Sequence, residues 1–262
     1  MKCLVEQVQP GLWQISFHLL PQWLWLLSTN CWLWQEPGAD ELTLIDTGYP
    51  ENAPELINQI GLKGLPLKRI ILTHAHPDHA GAAQDVSVAF AAPVYVHPGD
   101  IPFVQAPAPR NMADEEGSSI CKFILRHTPA QYTPLPIVNV RPLEVGVPTG
   151  GLIPYHTPGH TPGSITLWSE RLKAVICGDN LDTTWRRPCL GTPGFSLNAA
   201  ERNDSIRKIL RLPIRFVLAG HGPRYELKED RDLFMRLLRR QLGVKVNEDR
   251  EIADLDQPAG KK

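Results

Sequence analysis

The sequence predicts an α/β fold. Three observations carry that prediction. Short apolar runs such as Ile70-Ile71-Leu72 and Phe216-Val217-Leu218-Ala219 have the length of buried strands. Helical patterns over 54–62, 80–90 and 199–210 alternate with such runs, as in β–α–β units. Several strands end in histidine or aspartate beside glycine, and α/β sheets present ligands at the carboxyl ends of their strands.

In order, residues 11–48 read as antiparallel strands. Gly11 to Phe17 alternates apolar and polar residues. Trp23–Leu27 and Asn30–Gln35 are two further runs around Ser28-Thr29. Pro37-Gly38-Ala39-Asp40 is a turn, and Leu42–Ile45 is the next strand, closed by Asp46-Thr47-Gly48. Five of the seven tryptophans (Trp13, Trp23, Trp25, Trp32 and Trp34) fall here. Trp23 and Trp25 share one strand face, as do Trp32 and Trp34. They pack the sheet, or else wall an acyl-binding pocket or form a homodimer contact. A helix over Pro54–Leu62, ended by Gly64 and Pro66, leads to the strand ending at Leu72. A helix over Ala80–Phe90 and a strand over Pro93–His97 follow.

Residues 101–150 break this rhythm. They hold eight prolines and the polar patch Asp114–Ser119, with a short helix expected over Ser119–His127. A long irregular segment in a compact domain is usually functional or disordered, so a lid or substrate-binding insertion is expected, with a plain linker between the halves as the alternative. Strands return at Leu152–His156, Ser164–Trp168 and Lys173–Cys177. They are followed by the helix 199–210, the strand Arg215–Ala219 and an amphipathic helix over Lys228–Leu242. The repeated strand–helix pattern suggests one domain over 1–262, with halves at about 1–150 and 151–245 and a charged tail at 246–262.

Net charge is −1, so nothing draws the whole chain to nucleic acid or an anionic membrane. A small-molecule substrate is the expected partner. The five cysteines lack CxxC spacing and read as reduced thiols, which suits a cytoplasmic protein. The N-terminus shows no apolar signal region, and Trp23–Leu27 is too short to span a bilayer.

The chemistry concentrates in Thr73-His74-Ala75-His76-Pro77-Asp78-His79-Ala80-Gly81. In extended chain His74 and His76 face the same way. Pro77 stops the strand, so Asp78 and His79 are presented at a turn. Alone, this segment suits one zinc held by three ligands, or half of a two-metal site. Three more polar residues stand at strand ends beside glycine: His160 in Gly159-His160, Asp179 after Gly178, and His221 between Gly220 and Gly222. Glycine lets the backbone approach and turn there.

In this order, HxHxDH followed by a lone His, an Asp and a His, the chain resembles the metallo-β-lactamase-fold hydrolase superfamily. Asp46-Thr47-Gly48, Thr157–Ser164, Gly178-Asp179 and Gly220-His221-Gly222 match its other marker segments, from about residue 11 to residue 225. The resemblance implies a four-layer αββα sandwich and two divalent metal ions. It places His74, His76 and His160 on one ion, and Asp78, His79 and His221 on the other. Asp179 bridges them, and Asp46 supports a ligand from behind. Imidazole and carboxylate ligands suit Zn2+, with Fe or Mn as alternatives. The activity implied is hydrolysis of a lactone, ester or thioester by a hydroxide between the metals, with Asp78 as the catalytic proton shuttle. A non-hydrolytic, iron-dependent redox or metal-binding protein is the alternative.

Within the superfamily the chain is most similar to lactonase and glyoxalase II-like members. Asp179 sets it apart from true β-lactamases, which generally lack that carboxylate. Lactonases of the N-acyl homoserine type usually carry a tyrosine three residues after the bridging Asp. Asp182 stands there instead, with Tyr132 and Tyr155 as the nearest candidates to replace it. Trp185-Arg186-Arg187 follows closely; it reads as a solvated basic turn, or else as a contact for an anionic substrate.

Overall fold

The computed structural model describes residues 2–18, 28–107, 134–191, 196–227, 238 and 242–243. The first sheet holds seven strands in sequential order: β1 (Lys2–Gln9), β2 (Leu12–His18), β3 (Ser28–Trp34), β4 (Leu42–Ile45), β5 (Leu67–Ile71), β6 (Val94–Val96) and β7 (Val140–Pro142). Strands β1 to β4 pair antiparallel, and β4 to β7 pair parallel. Parallel neighbours need a long crossover. Helix α1 (Ala53–Gly61) lies between β4 and β5. The helical turn α2 (Pro77–Ala80) and helix α3 (Ala83–Phe90) lie between β5 and β6, and α4 (Ile101–Gln105) follows β6.

The second sheet begins with β8 (Ile153–His156), β9 (Ile165–Ser169) and β10 (Ala174–Gly178). A small hairpin, β11 (Leu181–Asp182) with β12 (Cys189–Leu190), and helix α5 (Ala199–Ile209) come next. Strands β13 (Phe216–Ala219) and β14 (Tyr225–Glu226) complete the sheet in the order β14-β13-β10-β9-β8.

Strand alternation builds the layers. Leu42, Leu44, Ile70 and Leu72 face one way, into a core with Leu56 and Ile60 of α1 and Val86 of α3. Their neighbours Ile45 and Ile71, with Trp32 and Trp34, face the other way. There they meet Ile165, Leu167, Ala174, Ile176, Phe216 and Leu218 of the second sheet. On that sheet's far side Trp168, Val175, Cys177, Val217 and Ala219 pack against Ile206 and Ile209 of α5. Three cores between helix, sheet, sheet and helix make the four-layer αββα sandwich the resemblance implied. Trp32 and Trp34 are sheet-packing residues between the two sheets.

Several expectations change. The single helix over 80–90 is divided, with Gly81 and Ala82 between α2 and α3. The turn expected after Pro77 is a helical one, with proline at its first helical position. Strand β1 was not foreseen: it is an edge strand in which only Val8 is buried, without the alternation that marks a half-buried strand. The short β7, β11, β12 and β14 were also unforeseen. The strand at 23–27 with Trp23 and Trp25, the helix at 119–127, Tyr132, nearly all of the helix at 228–242 and the tail from 246 lie outside the described residues. Among the described residues, no helix is long and apolar enough to cross a membrane.

Candidate metal centre

Seven predicted residues converge where both sheets end. His74, His76, His160 and Asp179 form one group whose ligand atoms all lie within 4.8 Å of one another, and Asp78, His79 and His221 form a second to the same limit. The His74 and His76 rings sit edge to face with centroids 4.6 Å apart, as the spacing of the two residues predicts. His160 arrives from the β8–β9 loop, 4.5 Å from His76 by ring centroid. Asp179 stands between the groups. Its Oδ1 is 3.2 Å from His79 Nε2, and its Oδ2 is 3.2 Å from His221 Nε2 and 3.5 Å from His160 Nε2.

The supports explain why these atoms face inward. Asp46 ends β4 with φ 58°, a conformation aspartate tolerates better than most residues. Its Oδ1 accepts Thr73 N at 2.7 Å, and its Oδ2 accepts Thr73 Oγ1 at 2.7 Å. Thr73 Oγ1, having given its hydrogen to Asp46, meets His74 Nδ1 at 3.1 Å as an acceptor. Asp46 Oδ2 also takes the His79 Nδ1 hydrogen at 2.9 Å. One carboxylate therefore fixes two imidazoles, one in each group, and turns both Nε2 atoms to the centre. Thr47 N and Oγ1 both donate to His79 O, at 2.7 and 2.8 Å, anchoring the short α2 turn.

Asp100 was not anticipated. It is fully buried and accepts Ala75 N at 2.9 Å, Thr161 Oγ1 at 2.7 Å and Gly163 N at 2.7 Å. It thus ties the 73–81 segment to the His160 loop. In sequence it reads only as a residue before a helix, and it does stand at the start of α4. It makes no side-chain cap there, because its carboxylate is committed to the two loops. Asp182 accepts Thr184 N at 2.5 Å and closes the β11–β12 hairpin. Tyr155 packs against the outer core of the second sheet.

The electrostatics divide the site. Burial, then the neighbouring imidazoles, hold His74 well below the ordinary histidine range, and burial and His76 press His160 down to about 3. Burial opposes charge on His79, but Asp179 and Asp78, with hydrogen bonds to Asp179 and Asp46, push it up to about 10. His221 is likewise raised well above its usual value: burial is outweighed by Asp179 and by hydrogen bonds to both aspartates. Asp179 is held ionised, since His221 and His79 outweigh its burial.

The donor set fits bound cations. Nε2 of His79 and Oδ1 of Asp179 meet each other, at 3.2 Å, and Nε2 of His74 and of His76 are buried without a hydrogen-bond partner. Buried polar atoms are rarely left so. The imidazoles and carboxylates of both groups are donors that divalent metals take once the imidazoles are neutral. The cluster therefore suits a dinuclear metal site.

Comparison with known proteins agrees. The family model of the Metallo-beta-lactamase superfamily matches residues 24–221. The chain is 28% identical over 202 residues to the "Probable metallo-hydrolase YflN" of Bacillus subtilis (strain 168), covering 68% of this chain and 74% of that protein. Among solved structures, TTHA1623 in a di-iron-bound form is 29% identical with a TM-score of 0.61, covering 80% of this chain and 93% of that one. The BLEG-1 B3 metallo-beta-lactamase is 28% identical with a TM-score of 0.61, covering 79% and 92%.

Proposed function

Because this chain belongs to the metallo-beta-lactamase superfamily of metallo-hydrolases, we propose that it is a dinuclear hydrolase that cleaves a lactone, ester or thioester bond of a small molecule. His74, His76 and His160 would hold one ion, Asp78, His79 and His221 the other, and Asp179 would join both. Carrying this reading is the pair of ligand groups, with the unpartnered inward atoms of His74 and His76, on either side of one carboxylate. Zn2+ suits the donors.

When bound, two divalent ions make hydroxide available at neutral pH and draw charge from an acyl oxygen. The chain's own residues set the approach. The His74, His76, His79 and His160 side chains are buried, whereas those of Asp78, Asp179 and His221 are 20%, 15% and 26% exposed. Substrate therefore enters from the Asp78–His221 side. Asp78 Oδ2 lies 3.3 Å from His221 Nε2, and Asp78 is held ionised because His79 and His221 outweigh its burial. It is the acceptor for a proton released during attack. Thr183 Oγ1 donates to His221 O at 2.9 Å, which fastens the β11–β12 hairpin to this entrance. Trp185 at its tip is 69% exposed. Trp185 and the neighbouring arginines would receive the acyl part or a negative charge of the substrate.

Zinc-loaded protein tested on lactone, ester, thioester, phosphodiester and β-lactam substrates should turn over at least one of the first three classes. Activity on none of the five would overturn the hydrolase reading. On the preferred substrate, Trp185→Ala should raise KM about tenfold with kcat unchanged, the loss of about 1.4 kcal/mol of binding. An unchanged KM would remove the hairpin from recognition.

The second reading is a non-hydrolytic iron protein; the di-iron-bound form of TTHA1623 supports iron as a metal for such a centre. Iron in place of zinc, with oxygen consumption and no hydrolysis, would establish it.

Metal uptake should release protons. Without cations, His79 and His221 are protonated at neutral pH, and ligation needs them neutral. Affinity should therefore rise with pH, about tenfold per unit for each proton released, and level off only near the raised value of about 10 for His79. Calorimetry in buffers of different ionisation enthalpy counts these protons. An affinity unchanged between about pH 6 and 8 would contradict the charge assignment.

A further inference from the structure

The first three residues of β3 make contacts that strand pairing does not require. Ser28 O accepts the His221 Nδ1 hydrogen. Thr29 Oγ1 donates to Asp78 O at 2.7 Å. Asn30 N donates to Gly220 O at 2.8 Å. The Asn30 side chain is fully buried between the two sheets, and all four of its hydrogen-bonding positions are used. Its Nδ2 donates to Ala219 O at 3.0 Å and to Gly222 O at 2.7 Å. Its Oδ1 accepts Gln14 Nε2 at 3.0 Å and Ser16 Oγ at 2.9 Å. Gln14 Nε2 also reaches Gly222 O at 3.3 Å.

Such a network is costly to bury unless every member is satisfied, and an apolar residue could fill the same space between sheets. What the polar side chain gains is a hold on one segment, Ala219 to Gly222. That segment carries His221 between two glycines and has little stiffness of its own. Backbone and side chain of β3 grip it at Ala219, Gly220, His221 and Gly222, and Thr29 grips the backbone of Asp78.

We propose that Asn30 is a positioning residue which, with Ser28 and Thr29, sets Asp78 and His221 in place as the outer half of the centre. It does not touch substrate. The inference rests on the ligand assignment above, and β3 would act selectively on the ion held by Asp78, His79 and His221.

The test is competition of the metal-free protein with a chromophoric zinc chelator, resolving both affinities. Wild type should bind two zinc ions tightly. Asn30→Leu keeps the volume and loses all four side-chain bonds. It should hold one ion as tightly as wild type and the other about 10- to 100-fold more weakly. Thr29→Val deletes only the hydroxyl donor and should shift the same ion in the same direction, by about tenfold or less. A purely structural role would lower the melting temperature of the metal-free protein and leave the ratio of the two affinities unchanged. If wild type binds fewer than two ions, the ligand assignment is what fails. If wild type binds two and the folded variants keep the wild-type ratio, the positioning role is overturned. Should Asn30→Leu not fold, Thr29→Val decides alone.

Discussion

Replacing Asp179 by alanine should abolish metal retention and hydrolysis together, with kcat/KM falling by more than about 100-fold. Loss of a mere supporting contact around a metal costs about 10- to 100-fold, so a carboxylate shared between two ions should exceed that range. The geometry argues for the large effect. Asp179 alone reaches both groups, with one oxygen at His79 and the other between His221 and His160. Without it, His79 and His221 lose the strongest charge acting on them, and Asp46 would hold the two groups together only from behind, through His79 and Thr73. Metal analysis and initial rates on the same preparation check this. A metal-depleted variant that hydrolyses at the wild-type rate would refute the placement.

Gly220→Ala should be nearly as damaging, although it adds one methyl group to a residue that binds nothing. A Cβ at 220 would lie 2.4 Å from Asp179 Oδ1 and 2.4 Å from His79 Cε1. Neither neighbour can yield cheaply. His79 is pinned by Asp46 on its far side, and the Gly220 backbone is held by Gly178 O and Asn30 N at 2.8 Å each. Overpacking of this kind costs about 1–3 kcal/mol of stability. Here the strain falls on two ligands, so activity should drop about 100-fold or more. Steady-state kinetics and a crystal structure of the variant check this. Wild-type kinetics with an unmoved Asp179 would contradict it.

Much of this was legible in the sequence because local pattern determined it. The alternation in Leu42–Ile45 and Ile70–Leu72 sends residues to two different cores, and a two-sided buried strand is what such runs encode. The seven candidate ligands were legible because four stand together in His74–His79 and the other three stand beside glycine, in the order that resembles the superfamily. What stayed hidden depends on pairing across long distances. Asp100 looks like an ordinary helix start until Ala75, Thr161 and Gly163 are brought to it. Ser28-Thr29 reads as a break between two runs, yet it opens a strand that holds a ligand 193 residues away. Pro77 signals the end of a strand equally well whether a loop or a helical turn follows. The polar edge strand β1 is defined by its partner β2 rather than by its own periodicity.

The two-ion hydrolase reading is tested most directly by metal content and turnover measured together through removal and restoration. The protein should contain two divalent ions per chain. Chelation should remove ester, lactone or thioester hydrolysis in step with the metal, and two equivalents of zinc should restore it. Hydrolysis that survives complete removal of metal, or full turnover with a single ion per chain, would contradict the assignment of His74, His76, Asp78, His79, His160, Asp179 and His221 to one dinuclear centre.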